Sequence, residues 1–354
     1  MSLRVAFDMR LAGYRAGGIA RYATDLEAAL RERTDVDLVP LRSVKDETPD
    51  AAVRMRTPPH HRLERVALPV ELALRRVHPD VYHAVDLIAP LLPRVPIVAT
   101  IYDLAFMRWP EDLAPDGLAY YQQLPKALRS TTEVIATSAW TANDIAERLG
   151  YDRTRITVIP LGLTPGIADE PPLPRTERGD FVLAVGTVEP RKRYDLLLDM
   201  LDHLDPAIRL VIVGNPGWRT ADVQRRLRQA AKRGRVEWHT GLADAEVWQL
   251  YRTALAVVLP SRVEGFGLAA LEGMACGTPV ISSAGGALPE VTGGASIDLP
   301  DAEPDEWAAA IEALTSDNAR WRNLSQAGVA QAAQFDWQSV AEATVAVYQR
   351  AAGR

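Results

Sequence analysis

Two α/β domains, each built on a parallel β-sheet, are what the sequence predicts, and three observations predict them. The chain has 354 residues, more than one hydrophobic core usually fills and about right for two. Short apolar runs recur, each closed by Gly, Pro, Asp or Ser and followed by a stretch of helical period, the pattern of βαβ units. Between the halves, Asp169-Glu170-Pro171-Pro172-Leu173-Pro174 sets prolines in a polar stretch that cannot hold regular structure, marking a linker.

In order along the first half, Leu3 to Asp8, Asp80 to Ala84, Ile97 to Tyr102, Glu133 to Thr137 and Ile156 to Pro160 read as strands. The second half repeats the scheme with Phe181 to Gly186, Arg209 to Gly214, Val236 to His239, Ala254 to Pro260 and Pro279 to Ser283, separated by helical stretches such as Tyr194 to Leu204 and Ala221 to Arg233. The boundary falls near residue 170, giving domains of 1–170 and 171–336.

Composition narrows the function classes. Hydrophobic residues are 47% and charged residues 24%, and no apolar run approaches the roughly 20 residues of a membrane span, so a soluble protein is expected. With a net charge of -6 the chain offers no field for nucleic acid, and any anion site must be local. The opening Met1 to Asp8 runs into a strand pattern without a secretory signal, and the single cysteine, Cys276, rules out an internal disulfide; both fit a cytoplasmic protein. The segment 54–76 carries Arg54, Arg56, His60, His61, Arg62, Arg65, Arg75 and Arg76 among apolar residues. It reads either as a solvated surface helix or as a segment in peripheral contact with a membrane, at the inner face.

In open parallel sheets ligands bind beyond the carboxyl ends of the strands, and four loops there stand out. The first, Ser261 to Glu272, spaces two glutamates seven residues apart, Glu264 in the loop and Glu272 on the helix that starts near Gly267. Gly265 and Gly267 leave the backbone bare at that helix mouth, where free N–H groups and the dipole favour a diphosphate. Glu264 is then placed to accept hydrogen bonds from a sugar, and Glu272 from the two hydroxyls of a ribose. The second loop, Gly186-Thr187-Val188-Glu189-Pro190-Arg191-Lys192-Arg193, sets cations where negative charge builds on a departing diphosphate, with Arg191 and Lys192 the pair expected to act. The third, Gly17-Gly18-Ile19-Ala20-Arg21-Tyr22, follows Asp8-Met9-Arg10 and lets the backbone approach a ligand closely. In the fourth, Tyr102-Asp103-Leu104, Asp103 is either a polar group at the reacting centre or a helix cap. Trp109, a little further on, is a candidate for the acceptor side.

On these residues, together with Ile135-Ala136-Thr137-Ser138, Val158-Ile159-Pro160-Leu161-Gly162 and Phe335-Asp336-Trp337, the chain resembles retaining glycosyltransferases of family 4, which have the GT-B fold of two Rossmann-like domains facing across a cleft. The resemblance implies a hexosyltransferase using a nucleotide-diphosphate sugar as co-substrate, with no cofactor and no metal. Glu264 would touch the donor sugar, Glu272 hold the ribose and Arg191 with Lys192 bind the diphosphate. The backbone of Phe266, Gly267 and Leu268 would contact sugar and phosphates; Gly18 would lie near phosphates and acceptor. The last helix, from about Trp337, would cross back and complete the first domain with 337–354. Where many relatives have His-Asp this chain has Tyr102-Asp103, and a phenol is a poor proton acceptor at neutral pH, so no general base is assigned. The opening motifs look most like bacterial mannosyltransferases of polysaccharide assembly, which implies GDP-mannose, with a UDP-sugar as the alternative. The acceptor would be a saccharide, a lipid-linked sugar or a small molecule.

Rival classes remain. Gly265-Phe266-Gly267-Leu268-Ala269-Ala270 also fits the G-x-G-x-x-A fingerprint of an NAD-dependent oxidoreductase, although it follows the fourth strand of its domain instead of the first. A silent nucleotide-sugar sensor has no positive signal. Asp35-Val36-Asp37 has D-x-D spacing for a divalent ion but reads as a solvated turn, and the adjacent His60 and His61 read as surface residues.

Overall fold

The computed structural model describes residues 2–13, 17–48, 50–61, 63–113 and 115–353. Contacts divide the chain into two compact units: Met1–Arg108, Ala114–Gly162 and Asp336–Arg354 form one, and Trp109–Leu113 with Leu163–Phe335 form the other. The main seam therefore falls at Gly162 and Leu163, ahead of the proline stretch.

The first unit holds strands β1 (Leu3–Asp8), β2 (Val36–Ser43), β3 (Val53–Met55), β4 (Val81–Ala84), β5 (Ile97–Ile101), β6 (Glu133–Ala136) and β7 (Ile156–Val158). All pair in parallel, in the order β3-β2-β1-β4-β5-β6-β7. Its helices are α1 (Gly18–Arg31), α2 (Glu64–Leu74), α3 (Ala105–Arg108), α4 (Pro115–Tyr121), α5 (Leu124–Leu128) and α6 (Ala139–Leu149). Parallel strands covered on both faces read as near-continuous apolar runs, and β5 (IVATI) is buried at every residue. Helix α6 shows the local code: the Ser138 side chain accepts from the Thr141 N–H at its start, and Gly150 ends it in the left-handed region at φ 60°.

The second unit holds β8 (Phe181–Val185), β9 (Arg209–Val213), β10 (Val236–His239), β11 (Ala256–Leu259), β12 (Val280–Ser282) and β13 (Ser296–Asp298), in the order β10-β9-β8-β11-β12-β13. Its helices are α7 (Tyr194–Met200), α8 (Ala221–Lys232), α9 (Asp244–Thr253), α10 (Leu268–Ala275), α11 (Leu288–Thr292), α12 (Pro304–Ser316) and α13 (Asn318–Ala332). Its core gathers Leu197, Leu210, Ile212, Val258 and Ile281 around Trp307. The last helix, α14 (Trp337–Ala351), belongs to the first unit, where the Tyr348 hydroxyl meets His83 Nδ1 at 2.7 Å.

Three strands were not read from the sequence: β2, β3 and β13. Pro40 and two charged residues, Asp37 and Arg42, interrupt the apolar pattern of β2. The proline is accommodated because β3 pairs only with Leu41 to Ser43, so at Pro40 the missing N–H leaves no ladder partner on that side wanting. This overturns the turn expected at Asp35-Val36-Asp37. Val36 and Asp37 lie in β2, and the two carboxylates face arginines, Asp35 with Arg33 at 2.8 Å and Asp37 with Arg4 at 3.8 Å.

Candidate functional site

In each sheet the strand order reverses beside its first strand, between β1 and β4 and between β8 and β11. The two loops that leave β8 and β11 at their carboxyl ends are therefore neighbours at the switch point of the second sheet, the place where such sheets hold ligands. They are the loops carrying Arg191-Lys192 and Glu264.

Glu264 is buried. One carboxylate oxygen accepts from Lys192 Nζ at 2.6 Å and from Ser261 Oγ at 2.6 Å; the other accepts from the Arg191 guanidinium at 3.1 Å. Burial by itself would push this carboxyl up, but Lys192 and Arg191, with hydrogen bonds from Lys192 and Ser261, outweigh it and hold the group at about 2. It is ionised throughout the neutral range. Arg191 also donates to the Val263 carbonyl at 2.7 Å and to Glu189 at 2.7 Å. The Arg-Lys pair sits on a short 3-10 turn, Pro190–Lys192, and Arg193 takes φ 50° to open α7.

Behind Glu264 lies a loop that the sequence reading passed over. The backbones of Glu264 and Gly286 form a parallel bridge, Glu264 N–H donating to Gly285 O and Ala287 N–H to Glu264 O at 2.9 Å. Gly286 has φ 69°, and a Cβ there would stand 2.4 Å from the Glu264 carbonyl oxygen. The signal was available, since Ser283-Ala284-Gly285-Gly286 leaves β12 on the same edge of the sheet. Ser261 and Glu189 were also passed over, although both lie inside the loops singled out.

The helix mouth is as expected: α10 starts at Leu268, and Gly267, its N-cap at φ 104°, supplies no side-chain cap. Phe266 is buried and meets Phe335 edge-on at 5.8 Å. Glu272 is buried on α10 and accepts from Thr164 Oγ1 at 2.8 Å. Gly186 has φ 147°, and a Cβ there would lie 3.5 Å from the Lys192 side chain. Gly265 lies between Glu264 and Phe266 in the same loop.

In the first unit, Gly17 and Gly18 lie at the N-terminus of α1, and among the described residues no atom comes within 4 Å of a Cβ built on either and no side chain caps the helix. The Tyr102 hydroxyl donates to the Val85 carbonyl at 2.8 Å, and burial pushes its pKa far above the usual 10. Asp103 accepts the Ala105 N–H at 2.9 Å, the cap alternative. Arg10 is buried, with its guanidinium on Asp8 at 2.7 Å, on Glu64 and on the Thr57 carbonyl at 2.9 Å. His60 is not the surface residue expected: it is part-buried, pairs with Asp86 and lies against Tyr120, ring centroids 4.4 Å apart and tilted by 31°. His83 is a core residue, its pKa lowered by burial to about 3. Trp109, grouped with the second unit, has its ring 5.9 Å from the Arg262 guanidinium. Cys276 is buried. Among the described residues no three His, Cys, Asp or Glu side chains gather as a metal site, and no helix is long and apolar enough to cross a membrane.

Two family models match in tandem: glycosyltransferase family 4 over residues 16–165 and glycosyl transferases group 1 over residues 168–331. The chain belongs to the family 4 glycosyltransferases. O-antigen chain mannosyltransferase B of Escherichia coli is 28% identical, with 98% of this chain and 99% of that one aligned. The D-inositol 3-phosphate glycosyltransferase of Nocardia farcinica is 33% identical over 73% of this chain and 62% of its own length. Among solved structures, that of Anabaena HepE with UDP and glucose superposes with a TM-score of 0.76 at 20% identity, covering 97% and 98% of the two chains. The fold of this family 4 glycosyltransferase is accordingly GT-B, with two Rossmann-like units. Membership decides against the nicotinamide reading of Gly265 to Ala270. That segment follows β11, with the ionised Glu264 immediately before it.

Proposed function

We propose that this glycosyltransferase moves a hexose, mannose from GDP-mannose, onto a saccharide, lipid-linked or small-molecule acceptor, with retention of configuration and without a metal. The observation that carries the reading is the placement of Arg191, Lys192 and Glu264 at the β8/β11 switch point beside the uncapped mouth of α10. The name of the E. coli relative supports mannose; the HepE structure, solved with UDP and glucose, supports a UDP-sugar as the second reading.

In this scheme the diphosphate takes Arg191 and Lys192 as countercharge and the backbone N–H groups at Gly267 and Leu268 as donors, while Glu272 accepts from the ribose and Glu264 from the sugar. The bond from the anomeric carbon to the phosphate oxygen breaks, and one to the acceptor oxygen forms on the same face. The departing phosphate oxygen takes the acceptor proton, so no protein base is required. Gly17 and Gly18 give phosphates and acceptor room to approach, Trp109 serves the acceptor side, and Tyr102 and Asp103 receive no proton-transfer role. Cation and dipole charge fixed in advance stabilise the leaving group more as it departs. A lipid-borne acceptor would bring the segment 54–76 to a membrane surface.

The test is a screen of GDP-, UDP- and ADP-sugars for thermal protection and slow hydrolysis, with the anomeric configuration of the product followed by NMR. GDP-mannose should protect most and yield the retained anomer first. Protection by none of them, or an inverted first product, would contradict the reading.

A further inference from the structure

A surface helix of a globular domain normally has one apolar face, turned inward. Helix α2 has two. Leu68 and Leu72 are buried at 0% and 3% exposure, while Leu63 at its N-cap, Val66, Val70 and Leu74 are 57%, 57%, 56% and 79% exposed. Their spacing of three and four residues stacks them as one outward ridge. Leu91, 45% exposed, lies at the flank of the helix, where its N–H donates to the Arg65 carbonyl at 2.9 Å. Contiguous apolar surface of this kind marks a contact site.

The charges around the ridge say what covers it. Between residues 54 and 76 there are six arginines and two glutamates, in a chain of net charge -6. Both glutamates are engaged: Glu64 pairs with the buried Arg10, and Glu71 pairs with Arg75 and accepts the N–H groups of Arg56 and Thr57. The Arg65 guanidinium donates to the carbonyls of Ala89 and Lys126, and Arg54 turns to Asp50 and the carbonyls of Asp46 and Thr48. Arg62 lies outside the described residues. Arg56, Arg76 and Arg94, next to the ridge and to Leu91, are exposed, and none has an ion-pair partner among the described residues. Apolar side chains rimmed by such cations match an anionic lipid surface, where the ridge enters the acyl boundary and the arginines meet headgroup phosphates. A second copy packed two-fold on the same face would set these cations against one another.

We propose that the Leu63–Leu74 face of α2 is the surface by which this protein lies on an anionic bilayer. This gives the membrane contact of the preceding section a specific face; it is tested without sugar transfer, so failure of either leaves the other standing. The experiment is flotation of the full chain with vesicles of phosphatidylcholine alone and of phosphatidylcholine mixed with phosphatidylglycerol, at low and raised salt. Val66→Asp/Val70→Asp tests the ridge and Arg76→Gln/Arg94→Gln the rim; all four side chains are exposed, and melting curves verify that the variants fold. Binding is expected to the anionic vesicles only and to weaken with salt. The double aspartate should reduce it at least tenfold, and each arginine removed about fivefold. No binding to anionic vesicles, binding indifferent to the double aspartate, or a dimer in solution that the double aspartate dissociates would overturn the proposal.

Discussion

Lys192 Nζ lies 2.6 Å from the carboxylate of Glu264, seventy-two residues further along the chain. The two meet because β8 and β11 are neighbours in the sheet although β9 and β10 separate them in sequence. A carboxylate and its cations thus hold one another in place where an anionic donor is proposed to enter. Diphosphate binding would then exchange one countercharge of Lys192 and Arg191 for another.

Glu264→Gln should lower kcat for transfer by roughly two to three orders of magnitude, the range seen when one preorganised electrostatic group is removed from a site. Its stability consequence has a definite sign. Because the folded carboxyl is held at about 2, below its ordinary 4.5, its contribution is fully present above pH 4.5 and is lost as pH falls toward 2. Urea unfolding of the parent and of Glu264→Gln between pH 3 and 7 checks this. The parent should lose roughly 2 kcal/mol more than the variant between pH 7 and pH 3.

Gly286→Ala should destabilise the second unit by at least about 2 kcal/mol, since φ 69° is unfavourable for alanine by ~1–2 kcal/mol and the added Cβ strikes the Glu264 backbone. Denaturation read through the second unit's tryptophans gives the stability change. Transfer should fall with it, because the loop behind Glu264 must shift.

Tyr102→Phe should leave the pH profile of transfer unchanged and cost stability by about 1 kcal/mol, the value of one hydrogen bond. The phenol donates to the Val85 carbonyl, and its raised pKa keeps it protonated at any working pH. A pH–rate curve of the variant that loses a limb present in the parent would assign it a proton-transfer role.

Much of this architecture was legible because parallel strands buried on both faces write themselves as uninterrupted apolar runs. β1, β5, β8 and β11 announce themselves, and their carboxyl ends locate Glu264, Arg191 and Lys192. What could not be read was pairing. Nothing in the sequence says that Lys192 faces Glu264, that Asp8 and Glu64 consume Arg10, or that Gly286 backs Glu264, because each joins segments that only sheet order brings together. β2 was missed because Asp37, Pro40 and Arg42 break the apolar run that pairing with β1 would otherwise write. His60 was misjudged for a related reason, its partner Asp86 lying beyond β4. The segment 54–76 was half legible. Its basic character was plain, whereas the use of Arg54, Arg65 and Arg75 within the fold, and the outward ridge of α2, needed coordinates.

The measurement that bears most directly on the proposed site is calorimetric titration of GDP, and in parallel UDP, into the parent protein and into Lys192→Ala. Charge-assisted hydrogen bonds to a phosphate contribute about 1.5–3 kcal/mol each. Saturable binding of one of the two nucleotides to the parent is therefore expected, with affinity weaker by roughly ten- to hundredfold in Lys192→Ala at unchanged fold. Equal affinity in the two proteins would contradict the proposed site.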